Sequence, residues 1–213
     1  MRQLIFFCLL FTLYTACKKE KTEPVIYPDY GNLQVGNYWI YQRFLLENGV
    51  YTPQNTIDSS YVEKDTLING QTYAKIKSIN FEAPSGTYKS LFLRDSLHYI
   101  VDEKGKILFS SENTVDTFST GYVILDFPSM DTVAFTFAKM DEGVFMTDVP
   151  AGSFQTRNYK FTYVLYPGWS QGGDTREVIN RYAEDVGLVE ETLGAYIGSP
   201  IYPVRRLIRY GKN

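Results

Sequence analysis

From residue 33 onward, hydrophobic and polar residues alternate with a period of two. The run Asn158–Tyr166 shows this best, because Tyr159, Phe161, Tyr163 and Leu165 would share one face of an extended chain. Side chains of a β-strand point alternately to opposite faces, and aromatic and β-branched residues are enriched in strands. The same pattern predicts further strands at Tyr38–Leu46, Thr72–Ile79, Tyr88–Arg94, Leu97–Val101 and Val204–Tyr210.

Short turn signals separate these runs. Asn69-Gly70 predicts a two-residue hairpin turn, because both central positions of such a turn need a positive φ. Asn48-Gly49 and Glu103-Lys104-Gly105 are further turn signals. Many short strands with local connections predict an all-β fold: a single antiparallel meander of about ten strands that forms a curved sheet, half-barrel or barrel with little helix.

The best helix candidate is Asp174–Glu184. Asp174 is a suitable N-cap, and three apolar residues that follow it would share one helical face. The segment Glu177–Ala183 fits a strand at least equally well, so the sequence leaves both structures open.

Length and charge limit the classes of function. The chain has 213 residues, which suits one domain, and 44% hydrophobic residues, which is too many for a wholly disordered chain. Its formal net charge is −3. A protein whose main partner is a nucleic acid carries a basic excess that neutralises phosphates, so we expect no nucleic-acid partner.

Residues 1–16 have the parts of a secretory signal peptide. A positive charge at Arg2 precedes about eleven mostly apolar residues, and small residues follow them. The apolar stretch is shorter than the roughly 20 residues that a transmembrane helix needs, and charged residues come directly after it. We therefore expect the leader to be removed on export.

The end of this leader, Thr15-Ala16-Cys17, resembles the lipobox of bacterial lipoproteins. The resemblance implies that Cys17 is lipidated and that its acyl chains, such as palmitate, anchor the protein in the lipid bilayer. Tyr14 departs from the pattern, because the family usually has leucine there. Lys18 rather than aspartate follows the cysteine, which favours the outer membrane, on its periplasmic face or at the cell surface.

Residues 17–32 are predicted to form a lipidated, flexible tether, and residues 33–213 a single β-rich domain. The tether segment is polar, contains proline and lacks periodicity. Cys8 would leave with the signal peptide and Cys17 would carry the lipid, so the mature chain has no free thiol. We therefore expect stability to come from packing and not from a disulfide.

Three short motifs occur in order along the predicted domain. They are Gly36-Asn37-Tyr38-Trp39-Ile40-Tyr41, Pro150-Ala151-Gly152-Ser153-Phe154 and Tyr182-Ala183-Glu184-Asp185-Val186-Gly187-Leu188-Val189. The ordered set resembles a broad group of exported bacterial β-rich proteins, many of them lipoproteins. That resemblance implies a curved antiparallel sheet, sometimes likened to the half-barrel of lipoprotein carriers, and no particular activity. In mechanical terms, we expect a turn at Pro150 and a bulge or close backbone approach at Gly187.

The sequence offers little catalytic or metal-binding chemistry. His98 is the only histidine and lies in an apolar run, where a structural histidine is expected. An ordinary zinc site needs more His or Cys ligands than one histidine supplies, and we expect no metal and no cofactor. The 24 Asp and Glu residues include enough carboxylates for a glycosidase, but a sequence does not show their separation. We assign no catalytic residue.

Trp169, in the glycine-containing loop after Tyr166, is the most suggestive binding residue. Projecting from the sheet edge, its indole could stack on a sugar or an apolar ligand, with Tyr166 as a weaker companion. Alternatively, Trp169 folds back and covers the core.

The C-terminal segment from Thr192 to Asn213 contains four basic residues and no acidic one. This pattern predicts an edge strand that charge protects from pairing with another sheet. Contact with anionic lipid head groups is the other interpretation.

Together these features predict a membrane-anchored lipoprotein that serves as a non-enzymatic binding or carrier module of the cell envelope. Its partner would be a glycan, a lipid or an envelope protein. The alternative is a structural or interaction subunit of an outer-membrane complex.

Overall fold

The computed structural model describes residues 25–79, 87–125, 131–169, 175–194 and 199–213. Within these ranges the chain forms strands and turns, and no helix is long or apolar enough to cross a lipid bilayer. The strands are β1 (Tyr38–Glu47), β2 (Val50–Ile68), β3 (Gln71–Ile79), β4 (Tyr88–Ser96), β5 (Tyr99–Asp102), β6 (Ile107–Ser110), β7 (Ser119–Leu125), β8 (Asp131–Met140), β9 (Phe145–Val149), β10 (Gly152–Leu165), β11 (Thr175–Ala183), β12 (Gly187–Thr192) and β13 (Tyr202–Gly211).

All of these strands belong to one antiparallel sheet. Its order is β6-β5-β4-β3-β2-β1-β13-β12-β11-β10-β8-β7, and β9 pairs with the first part of β10. Most neighbours in the sheet are also neighbours in sequence, so the predicted all-β meander is confirmed. The described ranges contain thirteen strands where the sequence predicted about ten, because β7, β9 and β12 carry weaker alternation.

The sheet curls into a half-barrel, because its two arms meet face to face. The ring of Phe109 on β6 lies 4.7 Å from that of Tyr182 on β11, measured between centroids. The backbone amide of Ser110 donates to the sulfur of Met140 on β8 at 3.4 Å. We call the face that carries Phe109 and Tyr182 the inner face, and the opposite face the outer face. The inner face holds the two larger clusters of buried hydrophobic side chains.

The three sequence motifs meet in one of these clusters. The Trp39 indole donates to the carbonyl of Val186 at 2.6 Å, and the Tyr41 hydroxyl donates to the carbonyl of Leu188 at 2.8 Å. The turn of the second motif reaches the same place, because the amide of Ala151 donates to the carbonyl of Leu207 at 2.9 Å. The motifs thus join β1, β12 and the β9–β10 hairpin around one core.

The predicted turns are present where the sequence placed them. Asn69 and Gly70 have φ of 50° and 77° and connect β2 to β3, as the asparagine–glycine pair requires. Asn48 and Gly49 connect β1 to β2 in the same way. Because both turns have only two residues, they fix the register of the three strands that they join.

The structure decides between the two interpretations of one segment and corrects the start of one strand. The described part of Asp174–Glu184 forms a strand from Thr175 to Ala183, which pairs along its length with β10 and at one end with β12, so the strand interpretation of Glu177–Ala183 is confirmed. The strand conformation is favoured because it buries Tyr182 on the inner face, against Phe109. Leu97 and His98 belong to the turn between β4 and β5, where Leu97 has a φ of 57°, and β5 itself begins at Tyr99.

The C-terminal strand is central and not an edge. β13 lies between β1 and β12, so the predicted charge-protected edge strand is wrong. Its arginines have partners on the next strand, since Arg205 pairs with Glu191 and Arg206 with Glu190. Two of the four basic residues of this segment are therefore paired with acidic residues of β12.

The end of the predicted tether packs against the sheet. Tyr30 and Asn32 are buried, and the Tyr30 ring lies 4.8 Å from that of Phe109. The amide of Asp185 donates to the carbonyl of Asp29 at 2.6 Å, which joins this segment to the turn before β12. We call residues Asp29–Asn32 the strap, and the packed part of the chain begins there.

Gly187 provides a test of the motif core. It has a φ of 93°, and an added Cβ would lie 3.2 Å from the Trp39 Nε1 atom. Backbone strain and crowding against the indole should together lower the free energy of unfolding of Gly187→Ala by about 2–5 kcal/mol. Gly70→Ala is the matched control, because Gly70 has a similar φ with no atom within 4 Å of the added Cβ. It should lose only about 1–2 kcal/mol. Equal losses in urea denaturation would show that the Trp39 contact is unimportant.

The strap provides a pH test. Partial burial and the neighbouring Asp29 carboxylate raise the pKa of Asp95 to about 6. A pKa that is higher in the folded than in the unfolded state means that protonation favours folding. The Asp95 contribution is therefore complete below about pH 4 and is lost as the pH rises through about 6. Between pH 5 and 7 the melting temperature of the wild type should fall relative to that of Asp95→Asn. The melting temperatures are measured by circular dichroism. If they change with pH in the same way in the wild type and in Asp95→Asn, the raised pKa of Asp95 is contradicted.

Candidate functional site

Only part of the predicted binding set lies within the described residues. Cys17, the predicted lipidation site, lies outside them, as do residues 170–174 of the loop that follows Trp169. Trp169 is partly buried and packs against the cluster of Val133, Ala134 and Leu165. Tyr166 is 39% exposed, and its carbonyl accepts a hydrogen bond from the Trp169 amide at 3.0 Å. The indole therefore covers apolar residues here, and its binding of a ligand stays a prediction.

The most concentrated group of charges lies elsewhere, on the outer face of β11, β12 and β13. Arg181, Glu190 and Arg206 stand opposite one another on these adjacent strands. The Nε atoms of Arg181 and Arg206 donate to the two carboxylate oxygens of Glu190 at 2.8 and 2.9 Å. The Glu190 side chain is only 4% exposed. We call these three residues the charged triad.

Aromatic side chains cover one side of the charged triad. The Tyr51 hydroxyl donates to Glu190 Oε1 at 3.2 Å, and its ring lies 3.8 Å below the guanidinium of Arg206. Arg206 also lies over Phe44 and donates to the backbone carbonyl of Asp148. Burial and the Glu190 carboxylate raise the pKa of Tyr51, so its hydroxyl stays protonated as a donor. These contacts hold Arg206 in one orientation.

Two cavities flank the charged triad, and both are lined by Arg181 and Glu190. The first has a volume of about 360 Å³ and the second about 320 Å³. The first is completed by Leu46, Thr175, Glu177, Ile179, Thr192 and Tyr202, and the second by Tyr51, Phe145, Met146, Thr147, Asp148 and Arg206. Volumes of this size are at the lower end of the range for small-molecule sites, about 300–1,000 Å³. We call the two cavities and the charged triad the cleft.

Arg181 carries free donors in the cleft. Within the described part of the chain, its guanidinium makes one hydrogen bond, through Nε to Glu190. Both of its terminal Nη groups are left without a protein partner, although the side chain is only 22% exposed. An arginine that is fixed by one ion pair and presents its remaining N–H groups to a cavity is arranged to donate hydrogen bonds to a ligand.

A second set of charges lies on the inner face, directly behind the charged triad. Arg205 pairs with Glu191 at 2.5 Å and lies 4.4 Å from the Tyr41 ring centroid. Burial opposes its charge, but the Glu191 carboxylate outweighs this effect and the pKa of Arg205 is raised. Arg43 and Asp58 form a bidentate pair nearby, at 2.6 and 3.0 Å. These groups fill the inner face with internal partners and so are best explained as structure.

His98 occupies a structural position. Its Nδ1 atom lies 2.9 Å from the Ser110 hydroxyl, and its ring is 3.8 Å from that of Tyr99. Within the residues that the structure describes, no three His, Cys, Asp or Glu side chains come together as a metal site would require. The histidine therefore joins the turn before β5 to the end of β6.

Sequence reasoning missed the charged triad. Its members are 9 and 16 residues apart and share no local motif, so only the pairing of β11, β12 and β13 brings them together. One signal was present, namely the arginine pair at 205–206, but it was interpreted as protection of an edge strand. The position of β13 between two other strands gives these arginines their acidic partners.

Comparison with solved structures shows the fold. A "putative lipoprotein" from Parabacteroides distasonis ATCC 8503 is similar with a TM-score of 0.51 and 12% sequence identity, covering 88% of this chain and all of that one. A "putative exported protein" with YmcC-like fold from Bacteroides fragilis has a TM-score of 0.40 and 12% identity, covering 84% of this chain and 97% of that one. The second score is too low to establish a shared fold. No family model and no curated protein matches the sequence.

Replacing Glu190 tests how much the charged triad contributes to the stability of the fold. Glu190→Gln leaves Arg181 and Arg206 close together without a neutralising carboxylate. Breaking a buried ion pair in this way lowers the free energy of unfolding by about 3–5 kcal/mol. Glu63→Gln is the control, because the 2.6 Å pair of Glu63 with Lys75 is solvent-exposed and should contribute little. An unchanged urea midpoint for Glu190→Gln would mean that the charged triad does not hold the three strands together.

Proposed function

We propose that the protein is a lipid-anchored, non-enzymatic binding module of the cell envelope, with the cleft as its binding site. The leader at residues 1–16 and the lipobox-like Thr15-Ala16-Cys17 support the anchor. The shared fold with the Parabacteroides structure is consistent with the same class of exported protein.

The position of Arg181 is the main evidence for a binding role. Its Nη groups have no protein partner among the described residues and line both cavities of the cleft. These donors are accessible from the cleft, and free donors in a concave site can bind a ligand or water. Arg206, in contrast, is held by Glu190, Asp148 and Tyr51.

The cleft is better suited to binding than to proton transfer. The two Glu190 oxygens already accept hydrogen bonds from Arg181, Arg206 and Tyr51. A general acid or base must exchange a proton with the substrate, whereas this carboxylate is held by two cations and a hydroxyl. We therefore favour recognition over catalysis.

A second candidate function is an interaction subunit of an outer-membrane complex. β7 lies at one end of the sheet order and pairs with β8 on one side, and Tyr122 and Ile124 are 64% and 49% exposed. An edge strand with apolar side chains can accept an extended segment of another protein as an additional strand. A photo-crosslinker at position 124, compared with one at the exposed Leu67 in the β2–β3 hairpin, tests this in intact cells. Specific crosslinks from position 124 alone would favour the interaction role.

The anchor has a direct test. In Cys17→Ala the acylation site is lost, so the protein should leave the membrane fraction and appear in soluble form. The wild type should sediment with outer membranes in a sucrose gradient, and mass spectrometry should find residues 1–16 removed and Cys17 acylated. An unmodified Cys17, or membrane association that survives the substitution, would disprove the proposed anchor.

A further inference from the structure

We propose that the ligand of the cleft is a neutral oligosaccharide. This inference rests on the proposed binding function and gives the ligand a chemical class. It depends on the balance of charge in the two cavities, on the free donors of Arg181, and on the apolar walls beside them.

The cleft presents charges of both signs within a small space. Arg181 faces Glu177 and Glu190 in the first cavity. In the second cavity, Arg181 and Arg206 face Glu190 and Asp148. A charged ligand would meet a group of its own sign in either cavity, which disfavours strong anions and strong cations. A neutral polyhydroxyl ligand can donate to the carboxylates and accept from the guanidinium groups at the same time.

An acyl chain fits these walls poorly. It would displace water from the Nη groups of Arg181 and from the exposed carboxylate of Glu177 without replacing the lost hydrogen bonds, which is unfavourable. Sugar hydroxyls can both donate and accept, so they can satisfy these groups directly. Polar side chains therefore select a hydroxylated ligand over an apolar one.

The remaining walls are suited to the faces of sugar rings. Tyr51 and Phe145 line the second cavity with Met146, and Tyr202 lines the first. Aromatic rings provide flat apolar area that can pack against the C–H groups of a pyranose while the ring hydroxyls bind elsewhere. Because Arg181 and Glu190 line both cavities, a ligand that fills both has to extend past them. We infer at least two linked sugar rings, one on each side of the charged triad.

The test uses the full-length lipoprotein purified in a detergent without a sugar head group. Neutral maltotriose, cellotriose and N,N′,N″-triacetylchitotriose are compared with anionic sialyllactose and with a cationic chitosan trimer by saturation-transfer NMR and titration calorimetry. At least one neutral trisaccharide should bind, and neither charged probe should bind more tightly. Arg181→Met keeps Glu190 paired with Arg206 and should weaken this binding at least tenfold. Arg209→Met, on the same strand as Arg206 but outside the cleft, should not change it.

The possible outcomes separate the ligand class from the proposed function. If a charged probe binds best and loses binding in Arg181→Met, the oligosaccharide is wrong but the binding module stands. If no probe binds and native mass spectrometry of the protein from its own membranes finds no bound small molecule, both proposals fail. Binding that is equal in wild type and Arg181→Met overturns the site. If Arg181→Met does not fold, Thr175→Trp replaces it, because a tryptophan at the exposed rim would obstruct the first cavity. Unchanged sugar binding in that variant would show that the cleft is not the binding site.

Discussion

The packing of Trp39 against the turn before β12 is the contact on which the rest of the sheet depends. Trp39 stands on β1, whereas Val186 and Gly187 precede or begin β12, two strands away in the sheet order. The indole donates to the Val186 carbonyl, and a glycine at 187 leaves room for the ring. The Nε1–H of a buried tryptophan needs an acceptor, so the hydrogen bond and the packing of the ring together fix the position of the indole. The contact therefore joins β1 to the start of β12 across β13, which lies between the two in the sheet.

Curling gives the two faces of β11–β13 different environments. On the inner face, Arg205 and Glu191 are enclosed with Tyr41 and are satisfied by one another. On the outer face, Arg206 and Glu190, the sequence neighbours of Arg205 and Glu191, join Arg181 at the wall of two cavities. Adjacent residues therefore stabilise the fold on one side and line a candidate binding site on the other. Because successive side chains of a strand point to opposite faces, the same alternation that predicts strands places these two roles on opposite faces of the sheet.

The sequence predicted the fold better than the site. Alternation in Asn158–Tyr166 and the Asn69-Gly70 turn are local signals, and the structure confirms the strand and the hairpin that they predict. β2 was predicted only through its hairpin with β3, because much of it is exposed and polar and it contains Pro53. The candidate residue Trp169 was chosen for its loop composition, and it packs against Val133 and Leu165, which is the alternative that the sequence left open. A side chain in a loop is directed by distant contacts that no short segment encodes.

The sequence by itself determined the class of architecture and the position of most turns, because these depend on neighbouring residues and on short-range backbone preferences. It also predicts a leader that ends before Cys17. Only the tertiary structure decided that Arg181, Glu190 and Arg206 meet. Their contact requires three strands in register within one sheet, and β13 to be paired on both sides. Registers of this kind depend on the burial of a whole face, with Trp39, Leu207 and Val189 together. That burial is a property of the assembled sheet and not of any single strand.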